Sequence, residues 1–157
     1  MSVQPITEAV MDALHALNNT HAEALSLTTP AGFRARIDAA YFSGHIQGRG
    51  FMIAYDHRAK ITGENYDYLA SAFDSFVYVD RIAVDARAQG MGYGRELYEA
   101  LFRRARQDGH KRCLCEINVD PPNPSSVAFH KSLGFHPIFK SRELSNGKTV
   151  QYFEMPL

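Results

Sequence analysis

The sequence predicts an α/β fold: a mixed central β-sheet with helices on both faces, in a single domain over residues 1–157. Three observations predict it. Apolar runs of strand length are interleaved with segments whose apolar residues recur at helical spacing. One strand, residues 76–84, enters a glycine-rich turn that opens directly into a helix. Near the end, two further strands flank Ser145-Asn146-Gly147, where Asn-Gly signals a tight turn.

Each element follows from local chemistry. Residues 4–6 suit a short first strand. Thr7 is placed to cap a helix over residues 8–17, with Val10, Leu14 and Leu17 on one stripe, and Asn18-Asn19 ends it. Thr29-Pro30 reads as an N-cap followed by proline in the first turn, so a second helix runs from there to about Ala40. Residues 41–46 and 50–56 are strands around a Gln47-Gly48 turn. Residues 57–74 are polar and irregular, with Tyr66, Tyr68 and Phe73 interspersed. In the strand 76–84, alternation puts Tyr78, Asp80, Ile82 and Val84 on one face, and Val77, Val79, Arg81 and Ala83 on the other. The helix 92–107 gathers Leu97, Tyr98, Leu101, Phe102 and Ala105 on one side, and Asp108-Gly109 ends it. A strand over 112–119 is broken by Asp120-Pro121-Pro122, and a helix over 125–133 follows. Strands 136–142 and 149–155 close the order.

Composition narrows the class of function. A chain of 157 residues can bury a substantial core. Its formal net charge is zero, so general affinity for nucleic acid or an anionic membrane is not expected. No apolar run approaches the ~20 residues that span a bilayer, and no basic-then-apolar leader opens the sequence. The two cysteines, Cys113 and Cys115, lie two apart in a strand, on one face, a poor geometry for bridging each other. Reduced thiols and a cytoplasmic location are the simple expectation.

The glycine-rich turn is the strongest chemical signal. Arg87-Ala88-Gln89-Gly90-Met91-Gly92-Tyr93-Gly94 sits between a strand and a helix N-terminus. The first N–H groups of a helix have no partner inside it, and the dipole there favours negative charge. Glycines let a phosphate approach those groups, and Arg87 adds positive charge, so the turn reads as a pyrophosphate cradle. No Gly-Lys-Ser/Thr follows, which argues against an ATP-binding P-loop. The turn also lies past mid-chain, unlike a dinucleotide fingerprint after a first strand.

Some thirty residues on stands Asn123-Pro124-Ser125-Ser126-Val127-Ala128-Phe129-His130-Lys131-Ser132-Leu133-Gly134-Phe135. The two motifs in this order resemble the GNAT superfamily of acyl-CoA-dependent N-acyltransferases. Arg-x-x-Gly-x-Gly matches that family's pyrophosphate loop, and the later motif matches the helix that ends in Gly-Phe. The resemblance is strong from residue 76 to 135 and plausible to 157, whereas the first seventy residues carry no comparable motif. The order of elements is also the family's. One departure stands out: His130 occupies the position where many members carry tyrosine.

The resemblance implies an N-acetyltransferase that moves an acetyl group from acetyl-CoA to a primary amine by direct attack in a ternary complex, with no metal. It implies CoA contacts from Arg87 and from Gln89, Gly90, Met91, Gly92, Tyr93 and Gly94. Ile82 and Val84 of the strand, and Asn123, Ser126 and Phe129 of the later helix, complete that set. Asn123 also has a plain reading as a helix-start signal, and Phe129 and Tyr98 read first as packing. The oxyanion falls to a backbone N–H near Val84. His130 takes the tyrosine's place as donor to the departing sulfur, since a histidine titrating near ~6.5 holds a proton around neutrality. Its bland reading is a packing histidine bonded to a carbonyl.

For the amine, whose proton comes off near ~10, the candidate bases are Asp80 and Glu116. Each interrupts an apolar strand, and each has a structural reading as a partner of Arg81 or a loop cap. Phe33, Tyr41, Tyr66 and Tyr68 are candidates to line an acceptor pocket, and Lys131 is expected in solvent. Two other readings stay open, a non-catalytic acyl-CoA-binding or sensing module and a protein that uses the loop for ATP. The identity of the amine and a homodimeric state are not fixed by the sequence.

Overall fold

The computed structural model describes residues 2–21 and 25–157. Its elements run α1 (Glu8–Thr20), α2 (Pro30–Ala39), β1 (Phe42–Ile46), β2 (Gly50–Asp56), α3 (Glu64–Ala72), β3 (Val77–Val84), α4 (Tyr93–Gln107), β4 (Arg112–Asp120), α5 (Pro124–Leu133), β5 (His136–Glu143) and β6 (Thr149–Pro156). A 3-10 turn, Ala86–Ala88, links β3 to the glycine-rich segment.

The six strands form one sheet in the order β1-β2-β3-β4-β6-β5. Only β3 and β4 run parallel; every other neighbouring pair is antiparallel. Helices cover both faces. On one, α4 packs Leu97, Tyr98, Leu101 and Phe102 over Met52, Val79 and Cys113. On the other, Leu14 of α1, Phe33 of α2 and Leu69 of α3 meet Phe51, Ile53, Tyr55 and Tyr152. Residues 50–55 are buried on both sides, which is why β2 reads as one apolar run without alternation. Cys113 and Cys115 are free and buried in the α4 layer, where loss of solvent pushes both thiols well above their usual range.

Several local expectations change. Residues 4–6 make a single bridge from Gln4 to His45 and no strand, since Pro5 has no N–H to extend it. Thr7 precedes α1 without a side-chain cap bond, and α1 continues through Asn18-Asn19 to Thr20. Asn18 is buried and its Oδ1 accepts from Arg81 Nη1 at 2.7 Å, so tertiary contact outweighs its weak helix preference. Thr29 does cap α2, accepting from the Gly32 N–H at 3.0 Å. Residues 57–74 contain α3, whose stripe is short: Tyr66 and Leu69 alone are buried.

The largest correction lies in β3. Ala54 of β2 faces Val79 and Ile53 faces Arg81, so Asp80 is an extra residue, a β-bulge. Beyond it the faces exchange. Val77, Val79, Ile82 and Val84 turn toward α4, while Tyr78 and Ala83 turn toward α1–α3. Arg81 follows them and reaches Asn18, so strict alternation fails from Asp80 onward.

Candidate active site

The bulge sits where the sheet opens. β3 and β4 pair only at Val77–Cys113 and Tyr78–Leu114, then diverge. From Val79 on, the edge of β3 that faces β4 meets no paired strand, so its backbone groups are left for another partner. A cavity of about 610 Å³ fills this opening on the α4–α5 side. A second, of about 250 Å³, lies toward α2 and α3. Leu25, Asp80, Glu116 and Asn118 line both.

The glycine-rich turn forms one end of the larger cavity, which Gln89, Gly90, Gly92, Tyr93 and Gly94 line. Gly90 and Gly92 have φ of 81° and 83°, the left-handed region that glycine enters freely. The first intrahelical bond of α4 runs from the Glu96 N–H to the Gly92 carbonyl at 3.0 Å. The N–H groups of Tyr93, Gly94 and Arg95 therefore precede the helix ladder, suited to an anion. Gly94 has a second reason to be glycine: a Cβ there would stand 3.0 Å from the Phe129 ring, which also lines the cavity.

Two expected contacts point elsewhere. Arg87 does not line the cavity; its side chain is 80% exposed and its Nε and Nη2 donate to Asp85 at 3.2 and 3.1 Å. That pairing draws the Asp85 carboxyl down to about 2. Met91 is also exposed outside the lining, and its N–H bonds the Ala88 carbonyl at 3.3 Å. Gln89 is partly committed, its side-chain amide donating to the Val84 carbonyl at 3.1 Å. Asn123 accepts from the Ser126 N–H at 3.3 Å as the cap of α5, and both residues line the cavity as well. Ile82 and Val84 line it from β3.

His130 lies in the wall of the same cavity, buried, with both ring nitrogens engaged. Nδ1 is 2.7 Å from the Ser126 carbonyl, which can only accept, so the proton is on Nδ1. Nε2 then accepts from the Tyr98 hydroxyl at 2.6 Å. Burial lowers the histidine below its usual range. The ring is thus neutral at physiological pH, and its one N–H is already given to a carbonyl. The expectation of a protonated imidazole ready to donate does not fit this arrangement. The carbonyl-bonded reading describes His130, and the proton between the two side chains belongs to Tyr98.

Glu116 is the more distinctive carboxylate. It stands on β4 at the junction of the two cavities and accepts from the Tyr78 hydroxyl. Burial raises it from 4.5 to about 8, against the Tyr78 bond that lowers it. Asp80 is held differently. Arg81 donates to it at 3.2 Å and Arg36 lies at 3.5 Å. Burial raises its carboxyl, and the two guanidiniums oppose that rise. Arg81 also reaches the Ser26 carbonyl at 3.0 Å, which ties β3 to the segment after α1.

Of the expected aromatics, Tyr66 lines the smaller cavity. Phe33 is core, Tyr41 bonds Asp108 at the far end of α4, and Tyr68 stacks on Tyr152 with ring centroids 5.0 Å apart. Lys131 is exposed. Sequence reasoning missed Tyr98 as a polar group, Arg36 and Tyr78. Tyr98 carried a usable signal, since a buried tyrosine hydroxyl needs a partner and His130 is a polar residue at helical spacing from the apolar Val127 and Leu133. Among the described residues no group of His, Cys, Asp and Glu could hold a metal ion, and no helix is long and apolar enough to cross a membrane.

The fold matches that of known proteins. The model of the acetyltransferase (GNAT) family matches residues 24–135. The L-2,4-diaminobutyric acid acetyltransferase of Wolinella succinogenes is 28% identical over 90 residues, which are 55% of this chain and 52% of that protein. The match thus spans about half the length of that relative. Ard1 from Thermoplasma volcanium superposes with a TM-score of 0.76 at 15% identity, over 99% of this chain and 97% of that one. The ribosomal-protein-S18-alanine N-acetyltransferase of Escherichia coli gives 0.70 at 18% identity, over 99% and 92%. The structure of yncA from Salmonella typhimurium, which holds acetyl-CoA, gives 0.70 at 21% identity, over 100% and 94%.

Proposed function

Because the chain belongs to the acetyltransferase (GNAT) family, we propose that it is an N-acetyltransferase that moves the acetyl group of acetyl-CoA to a primary amine, by direct attack in a ternary complex. The observation that carries this reading is the meeting of two cavities at Glu116 and Asp80. The larger one has a helix N-terminus at one end and an unpaired strand edge along its side. That combination suits a pyrophosphate followed by an amide-bearing arm.

In this assignment the N–H groups at the start of α4 hold the pyrophosphate, and Gly90 and Gly92 keep the turn low. The free edge of β3 bonds the arm, and a backbone N–H near Val84 meets the thioester carbonyl oxygen. The amine enters from the smaller cavity as an ammonium. Glu116, ionised in the fraction set by a pKa of about 8, takes its proton directly or through water. The neutral nitrogen attacks the carbonyl carbon, the tetrahedral oxyanion collapses, and the carbon–sulfur bond breaks. A thiolate with a conjugate acid near ~8.5 leaves with little help, so the sulfur needs a hydrogen bond more than a strong acid. Tyr98 supplies that bond by turning its hydroxyl, which otherwise donates to His130 Nε2, toward the sulfur. Asp80 holds Arg36 and Arg81 in place beside the junction. A module that merely binds acyl-CoA has no need of a buried carboxylate shared by two cavities.

The test is thiol release from acetyl-CoA across classes of primary amine, together with melting temperature with and without CoA. Amine-dependent release and a CoA-induced rise in melting temperature are expected. A CoA-induced rise with no release from any amine would leave the binding module in its place.

A further inference from the structure

The smaller cavity carries more than a base. Arg36, Arg81 and Lys148 line it along with Asp80, Glu116 and Glu64. Their roles differ. Arg81 is spent, its side chain 5% exposed and bonded to Asn18, Ser26 and Asp80. Glu64 is spent too, accepting from both the backbone and the hydroxyl of Ser145 in the β5–β6 turn. Arg36 is not. It projects from α2 with its side chain 37% exposed, and its approach to Asp80, at 3.5 Å, is an ion pair too long for a good hydrogen bond. The planar guanidinium fork suits a carboxylate in a two-point contact.

The cavity thus sets unlike charges side by side. Glu116 and Asp80 stand at its junction with the larger cavity, where an ammonium must arrive. Arg36 presents a cation next to them, 3.5 Å from Asp80. A purely cationic acceptor would place its remaining charge against these guanidiniums. The volume, about 250 Å³, falls below the range of drug-sized pockets and suits a small metabolite. Resting on the acetyltransferase reading above, we propose that the acceptor is a small amino acid: an amine that carries its own carboxylate, which Arg36 binds while the amine faces Glu116.

Matched pairs that differ by one carboxylate test this: alanine with ethylamine, ornithine with putrescine, and lysine with cadaverine. Each is assayed by thiol release from acetyl-CoA. The amino acid of at least one pair is expected to exceed its decarboxylated partner at least tenfold in kcat/KM. Arg36→Gln should lower kcat/KM for the amino acid far more than for the amine, so the ratio falls toward one, mostly through KM. Arg36→Lys should recover part of the ratio. A CoA-induced rise in melting temperature certifies each variant as folded. Decarboxylated amines turned over as well as the amino acids would overturn the proposal while sparing the acetyltransferase reading. So would an equal loss on both members of a pair in the Arg36 variants. No CoA response and no release from any amine would overturn both.

Discussion

The two proposed sites at the junction of the cavities are built in different ways. The proposed donor half is largely backbone: a turn of eight residues, a helix start, and a strand edge left unpaired. The proposed acceptor half is side chains brought from α2, β3, β4 and the residue after the β5–β6 turn, Arg36, Asp80, Glu116 and Lys148 among them. Backbone sites depend on dihedral angles and tolerate most side chains. Side-chain sites depend on burial and pairing, so each substitution changes charge, proton affinity and stability together. The donor half is therefore expected to fail all-or-none, and the acceptor half in graded, pH-dependent steps.

The largest expected effect breaks the backbone side. Gly90→Glu should abolish the CoA-induced rise in melting temperature, because a carboxylate would stand at the proposed pyrophosphate site. Gly90 has φ of 81°, so the variant also strains the turn. Gly90→Asn, which tolerates that region, isolates the charge and should keep most of the shift. Equal responses from the two variants would mean the turn holds no anion.

Next comes the acceptor side. Glu116→Gln should lower kcat/KM by about 10²-fold or more, and should remove an alkaline rise that runs through about pH 8 in the parent. Stability should move the other way. The folded carboxyl is raised from 4.5 to about 8, so the folded state keeps a proton that the unfolded chain has lost between those values. Stability then falls as pH rises through that window. The glutamine variant escapes this loss and should melt above the parent at pH 9, with the gap closing toward pH 5. A gap independent of pH would show that Glu116 ionises as freely as a surface carboxylate.

The smallest expected effect is at His130. If it orients Tyr98 and does not itself give up a proton, His130→Ala should lower kcat toward the lower end of the ~10²–10⁴-fold span of acid–base catalysis, or below it. No descending limb near neutral pH should vanish with it. Tyr98→Phe should match it, and the double variant should be little worse than either, since the two act as a unit. A limb near pH 6.5 that disappears in His130→Ala would restore the histidine as the acid.

Much of this was legible because much of it is local. Six strands, and helices on both faces, follow from apolar runs, from Thr29-Pro30, and from the glycines. The glycine-rich turn could be read as a strand-to-helix entry because the glycines that shape it lie within eight adjacent residues. α3 escaped notice because Tyr66 and Leu69 are too few to mark a period. The bulge at Asp80 escaped because alternation is blind to one inserted residue, and that residue reverses the faces of everything after it. The state of His130 was unreadable for another reason. Its two partners are a carbonyl one turn away and a hydroxyl 32 residues earlier, and only the packing of α5 on α4 unites them.

Cys113 of β4 gives the protein a built-in clock. Both cysteine thiols are buried under α4 and held in the protonated form by their surroundings, but Cys115 lines the larger cavity and Cys113 does not. A thiol-reactive dye cannot meet Cys113 while that layer stays shut. Without substrate, colour from Cys113 grows only as molecules open, and one of the two equivalents per chain then times the opening of the sheet from the α4 side.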